Sequence, residues 1–158
     1  MIRVVGFGNS LHGDDGFGPF VVKLLSSRLR MSNVTACEGG SPGLAALGLF
    51  EGCDTVLIID AVMDGGPEGE VGWVDPMEVV KTATPGRWHE EGLAEMLRML
   101  PLAVDGKLPN IEILLGRISA TQPFCECLSS EVLRGAVRAA DVIEARIRAL
   151  TPEKSVNA

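Results

Sequence analysis

The stretch from Ile2 to Gly18 constrains this chain more than any other. Ile2-Arg3-Val4-Val5 is a short β-rich run that ends in Gly6-Phe7-Gly8. A polar turn with two adjacent carboxylates, Asp14 and Asp15, follows, and an amphipathic stretch begins at Phe17. Strand, glycine turn and helix in that order is how an α/β protein places chemistry at the carboxyl end of its sheet. The turn is not a phosphate cradle. The dinucleotide fingerprint G-x-G-x-x-G needs glycine where Leu11 stands, and Asp14 and Asp15 would repel a pyrophosphate. Carboxylates in this position suit a cation.

The rest of the chain repeats the alternation. Phe17 to Arg30 reads as a helix, with Phe20, Val21, Leu24, Leu25 and Leu29 at helical spacing and Pro19 in the first turn. Asn33 to Cys37 is a second strand ending in Glu38-Gly39-Gly40. Ser41 and Pro42 then have the pattern of an N-cap and first position for a helix over Gly43 to Phe50. Thr55 to Asp60 is the clearest strand, apolar and β-branched until it closes in a carboxylate. Glu70 to Val74 is a more polar strand, suited to a sheet edge. Pro76 to Lys81 makes a helical turn, and Thr82 to Trp88 a loop. Glu90 to Leu100 is a helix with Leu93, Met96, Leu97 and Leu100 inward, stopped by Pro101. Asn110 to Gly116 is the fifth strand. Arg117 to Leu128 is irregular, and Ser129 caps a last helix to about Leu150. The expected fold is a three-layer α/β/α domain over residues 1–150. Its sheet has about five mostly parallel strands, one edge strand admitting antiparallel pairing, with helices on both faces. Residues 151–158 are expected to be a disordered tail.

Charge and composition exclude several classes. The net charge of -7 leaves no basic stripe to neutralise phosphates, so a nucleic-acid partner is not expected. No apolar run approaches the ~20 residues needed to span a bilayer, and Met1 leads straight into a strand with no signal peptide before it. The expectation is a cytoplasmic monomer. Cys37, Cys53, Cys125 and Cys127 read as free thiols in a reducing compartment, and Cys125-Glu126-Cys127 is too short for a zinc knuckle without a second pair.

Chemistry is expected where strands end. Asp15 lies past the first strand and Asp60 closes the third, and in an open parallel sheet these ends share one edge. A carboxylate ending an apolar strand needs a pairing partner or a metal if it is buried. His89, one of two histidines, stands at a loop-to-helix junction, and His12 inside the first turn is the competing ligand. Two aspartates and a histidine make a mixed O/N donor set for a divalent ion such as nickel or zinc. No Ser-His-Asp or Cys-His set is evident, which disfavours a covalent nucleophile.

Four blocks carry a family resemblance. Gly6-Phe7-Gly8-Asn9-x-Leu11-x-Gly13-Asp14-Asp15-Gly16-x-Gly18 is similar to the opening motif of the hydrogenase maturation endopeptidases. Glu38-Gly39-Gly40-Ser41-Pro42-Gly43 resembles that family's second glycine-rich turn. Leu57-Ile58-Ile59-Asp60-Ala61 resembles its second acidic strand end, and His89-x-x-Gly92-Leu93 its histidine motif. The resemblance implies an endopeptidase, a metal-dependent hydrolase, that removes the C-terminal extension of a nickel-iron hydrogenase large-subunit precursor after nickel insertion. It implies Asp15, Asp60 and His89 as catalytic residues and metal ligands. The family carries Glu or Asp at the first of these positions, so Asp15 is the shorter form and Asp14 its neighbouring alternative. The cation is then nickel carried by the precursor or another divalent ion held by the enzyme, with no nucleotide. A non-catalytic nickel-sensing chaperone of the precursor is the alternative reading.

Overall fold

The computed structural model describes residues 1–83 and 88–151, with backbone only for residues 88–91. Five strands form one sheet: β1 (Ile2–Phe7), β2 (Val34–Gly40), β3 (Thr55–Val62), β4 (Val71–Val74) and β5 (Asn110–Arg117). Their order is β2-β1-β3-β5-β4. All neighbours pair in parallel except β4, which runs antiparallel to β5 at one edge. Among the described residues four α-helices accompany them: α1 (Phe17–Arg28), α2 (Pro76–Thr82), α3 (Trp88–Ala103) and α4 (Ser130–Leu150), with 3₁₀ segments at Gly13–Gly16 and Leu44–Phe50.

Two cores lie on opposite faces of the sheet, as β1 and β3 require by being apolar on both sides. On one face Val4, Leu57, Ile59 and Leu114 meet Phe17, Val21 and Leu25 of α1 and Val132, Ala136, Ala140 and Ile143 of α4. On the other, Val5, Phe7, Val56, Ile58 and Ile113 meet Phe50 and Leu93, Met96, Leu97 and Leu100 of α3. The arrangement is the expected three-layer α/β/α sandwich. Among the described residues no helix is long and apolar enough to cross a membrane.

Several local expectations are revised. Pro101 lies inside α3 rather than ending it. It falls in the last turn, where its helix-compatible φ is kept and only one ladder bond is lost, and Val104 N–H still reaches the Leu100 carbonyl at 3.0 Å. Ser41 and Pro42 do not open the helix after β2. That segment is 3₁₀, starts at Leu44 and is preceded by Gly43 with no side-chain cap. Ser129 precedes α4, but its hydroxyl caps nothing there. Both β2 and β3 run on past the apolar residues that signalled them.

What positions the site is the connectivity. From β1 the chain crosses to β2 on one side, and from β3 it moves on to β5 and β4 on the other. The carboxyl ends of β1 and β3 are therefore a topological switch point, where the connections diverge and leave a crevice.

Candidate active site

The turn after β1 folds back on itself over the strand end. Gly8 has φ 129°, and a Cβ there would overlap the carbonyl oxygen of Asp15. Gly18 sits so low on the sheet that a Cβ would overlap the carbonyl oxygens of Phe7 and Ile59. These two glycines let the start of α1 settle onto β1 and β3 with the 3₁₀ turn Gly13–Gly16 between. Asp15, 2% exposed, is held by the Asn9 N–H, which donates to Oδ2 at 2.9 Å. Asn9 also shapes the turn from within, its Oδ1 accepting the Leu11 N–H at 3.0 Å.

Asp60 comes from the next strand. It pairs with Leu115 in the β3–β5 ladder and is also 2% exposed. Its Oδ1 accepts the N–H of Ala61 at 2.8 Å. Burial, and to a smaller extent the negative charge of Asp15, push its carboxyl up to about 8. Two buried acids are thus brought to the switch point, close enough for the charge of Asp15 to act on Asp60.

Asp14 does something different. Its Oδ1 accepts the Ser129 N–H at 2.6 Å and ties the turn to the start of α4. His12 is exposed, with Nδ1 3.5 Å from Asn9 Nδ2. The imidazole of His89 lies outside the described residues. Its backbone is in the first turn of α3, and Gly92, one turn on, packs against the carbonyl oxygen of Pro42, just past the carboxyl end of β2. The start of α3 therefore stands at the same sheet edge as Asp15 and Asp60. Among the described residues no three His, Cys, Asp or Glu side chains cluster closely enough to hold a metal.

Sequence reasoning missed the role of residues 117–128. Gly13 N–H donates to the Cys125 carbonyl at 2.7 Å, Cys125 N–H to that of Leu11 at 3.0 Å, and Gln122 N–H to that of His12 at 3.2 Å. The irregular segment is strapped along the acidic turn and completes one wall of the site. At its tip Phe124 has φ 59° and is 98% exposed. A groove of roughly 280 Å³ runs between this strap, α1 and β2, with Ser10 and Gly16 of the acidic turn at its side. Backbone bonds between segments a hundred residues apart leave no mark in composition or periodicity.

An open α/β sheet with two buried acids at its switch point defines the class: a doubly wound protein with its candidate site at the carboxyl edge of the sheet. The sequence pattern of the family described as HycI, hydrogenase maturation protease, matches residues 19–146. The chain belongs to the hydrogenase maturation protease family. It is 33% identical over 118 residues to the hydrogenase expression/formation protein HupD of Thiocapsa roseopersicina, covering 73% of this chain and 52% of that protein. HupD of Bradyrhizobium diazoefficiens is 30% identical over 118 residues, covering 73% and 60%. The chain thus spans little more than half the length of these relatives. The hydrogenase maturating endopeptidase HybD from E. coli superposes with a TM-score of 0.80 at 25% identity, covering 94% of this chain and 93% of that one.

Proposed function

We propose that this protein is an endopeptidase that removes the C-terminal extension of a nickel-iron hydrogenase large-subunit precursor once nickel is in place. The observation that carries the reading is the juxtaposition of Asp15 and Asp60, both 2% exposed, at the switch point of the sheet. Like charges buried side by side are costly, and a bound cation relieves both. Carboxylate oxygens with one imidazole are a fitting donor set for a borderline divalent ion. Asp15, Asp60 and, from α3, His89 would hold it. When bound, such an ion supplies a positive centre that polarises a peptide carbonyl or a water molecule. Asp60, its Oδ1 fixed by the Ala61 N–H, is the carboxylate that would take a proton as general base. Asp15 is oriented by the Asn9 N–H, and the glycine-built contact of α1 with the sheet keeps water from the floor of the crevice. The ion is the nickel already carried by the precursor, so cleavage is conditional on loading. The reaction is expected in the compartment where the precursor is assembled, the cytoplasm, with the enzyme a monomer.

Mass spectrometry of the precursor before and after incubation tests this. The nickel-loaded precursor should lose its C-terminal extension, while the apo precursor stays at full length. Tight binding without any shortening would identify a nickel-sensing chaperone instead. Efficient cutting of a metal-free precursor would return the ion to the role of an intrinsic catalytic metal.

A further inference from the structure

The outer edge of β2 is open. β2 is the terminal strand of the sheet, with β1 on its only paired side among the described residues. Ile2 N–H donates to the Asn33 carbonyl, which fixes the phase of the parallel ladder. Thr35 and Cys37 therefore turn their N–H and C=O groups toward β1, and Ala36 turns both outward; the Glu38 N–H also points outward, before the register shifts and Gly8 N–H takes the Gly40 carbonyl. Val34, the other outward residue, spends its N–H on the Met31 carbonyl within the same turn. Edge strands are ordinarily blunted by proline or lysine or kept very short. β2 is seven residues long and contains neither.

A groove lies beside Glu38, near the carboxyl end of this edge, on the α1 side. Side chains alternate, so Glu38 projects to the same face as Val34 and Ala36, which pack under α1. Phe20 and Lys23 of α1 form the facing wall, and Glu126 and Leu128 of the strap close the end toward the acidic turn. Two carboxylates, Glu38 and Glu126, face one ammonium, Lys23, so the groove favours a positively charged side chain with an apolar stem.

We infer that β2 takes an extended segment of the precursor polypeptide as an added strand, with a lysine or arginine side chain of that segment in the groove. This rests on the reading of the protein as a precursor-processing endopeptidase. The geometry agrees with that reading. An added strand would lie about 4.8 Å outside β2, hence ~14 Å across the sheet from β3. At ~3.3 Å per residue, roughly four extended residues carry the chain from the dock to the acids. Main-chain pairing supplies affinity without demanding a sequence, and the groove supplies the preference.

The test uses the full-length protein and the nickel-loaded large-subunit precursor encoded in the same genome. Ala36→Pro removes one outward N–H and is compatible with an outer edge, because Thr35 and Cys37 make the ladder to β1. Glu126→Lys reverses the charge at the groove's end. Each should raise KM tenfold or more with kcat unchanged. Pulse-labelled hydrogen exchange on the unaltered protein, within the first turnover, should show the Ala36 and Glu38 amides slowed at least tenfold by precursor. That measurement stands even if Ala36→Pro fails to fold. Unchanged exchange at both amides, or an unchanged KM for folded Ala36→Pro, would overturn the added strand. A precursor that the unaltered protein never shortens would instead overturn the endopeptidase reading.

Discussion

Asp60 is where the demands of stability and of chemistry part. Its carboxyl is raised to about 8 from an ordinary value near 4, chiefly by burial. Because the folded value is the higher one, the folded chain binds the extra proton between the two. The stability this confers is fully present below the unfolded value and is lost as pH rises through about 8, at a slope approaching ~1.4 kcal/mol per pH unit. In chelator, thermal melts of the unaltered protein should therefore decline between pH 5 and pH 8. Asp60→Asn, always neutral, should flatten that decline and melt higher than the parent at pH 8, while losing cleavage. A parent whose melting temperature is level over this range would show that Asp60 is not held protonated. The histidines separate by the same logic of position. His12 is exposed and turned to Asn9, whereas His89 begins α3 at the sheet edge that holds the acids. His89→Ala should reduce cleavage ~100-fold or more, since even residues that merely support a metal ligand cost 10–100-fold. His12→Ala should leave the rate intact, and the reverse result would exchange their roles.

At the scale of elements, the site is made by how closely α1 approaches β1 and β3. Helix and sheet usually keep side chains between their backbones. Here Gly18 faces the carbonyl oxygens of Phe7 and Ile59 with nothing between. Gly6 answers from the strand, where a Cβ would overlap the Gly18 carbonyl oxygen. Gly18→Ala should thus cost more than a typical overpacked core residue, at or above the top of the ~1–3 kcal/mol range, because backbone cannot rotate away. Urea unfolding of the variant measures it. A midpoint within error of the parent would mean that α1 can lift without consequence. The same lift would draw Asp15 off Asp60, so activity should fall further than stability alone explains.

For the whole molecule, the acidic turn is a junction between distant parts of the chain. Asp14 holds the start of α4 through Ser129, the strap 122–125 pairs with Leu11–Gly13, and Gly92 of α3 packs on the turn after β2. The site is thereby preorganised, and on the proposed reading Asp15, Asp60 and His89 are the set it would offer to an ion. Such a set binds a free cation weakly and gains from a cation whose other ligands come with the substrate. Adding free nickel to the enzyme should accordingly fail to rescue cutting of a precursor that itself stays metal-free. Rescue, seen by the mass of the precursor, would place the ion with the enzyme.

The five strands, their parallel bias and the polar edge strand were legible from residues alone, because burial on both faces forces near-continuous apolar runs such as Val56-Leu57-Ile58-Ile59. So was the placing of Asp15 and Asp60 at one edge of the sheet, since the carboxyl ends of parallel strands share that edge. Boundaries are less legible where they hang on a single residue: Pro101 is tolerated in a last turn, and Ser129 gives its amide to Asp14 instead of its hydroxyl to a helix. That Asp14 turns from Asp15 toward backbone N–H groups was expected from the sequence, and only the tertiary structure decided that the partner is Ser129 at the start of α4. It alone showed the strap lying beside the acids and the open edge of β2. These depend on backbone groups meeting across the fold, and a backbone group is the same in every residue, so no pattern of side chains announces where it will bond.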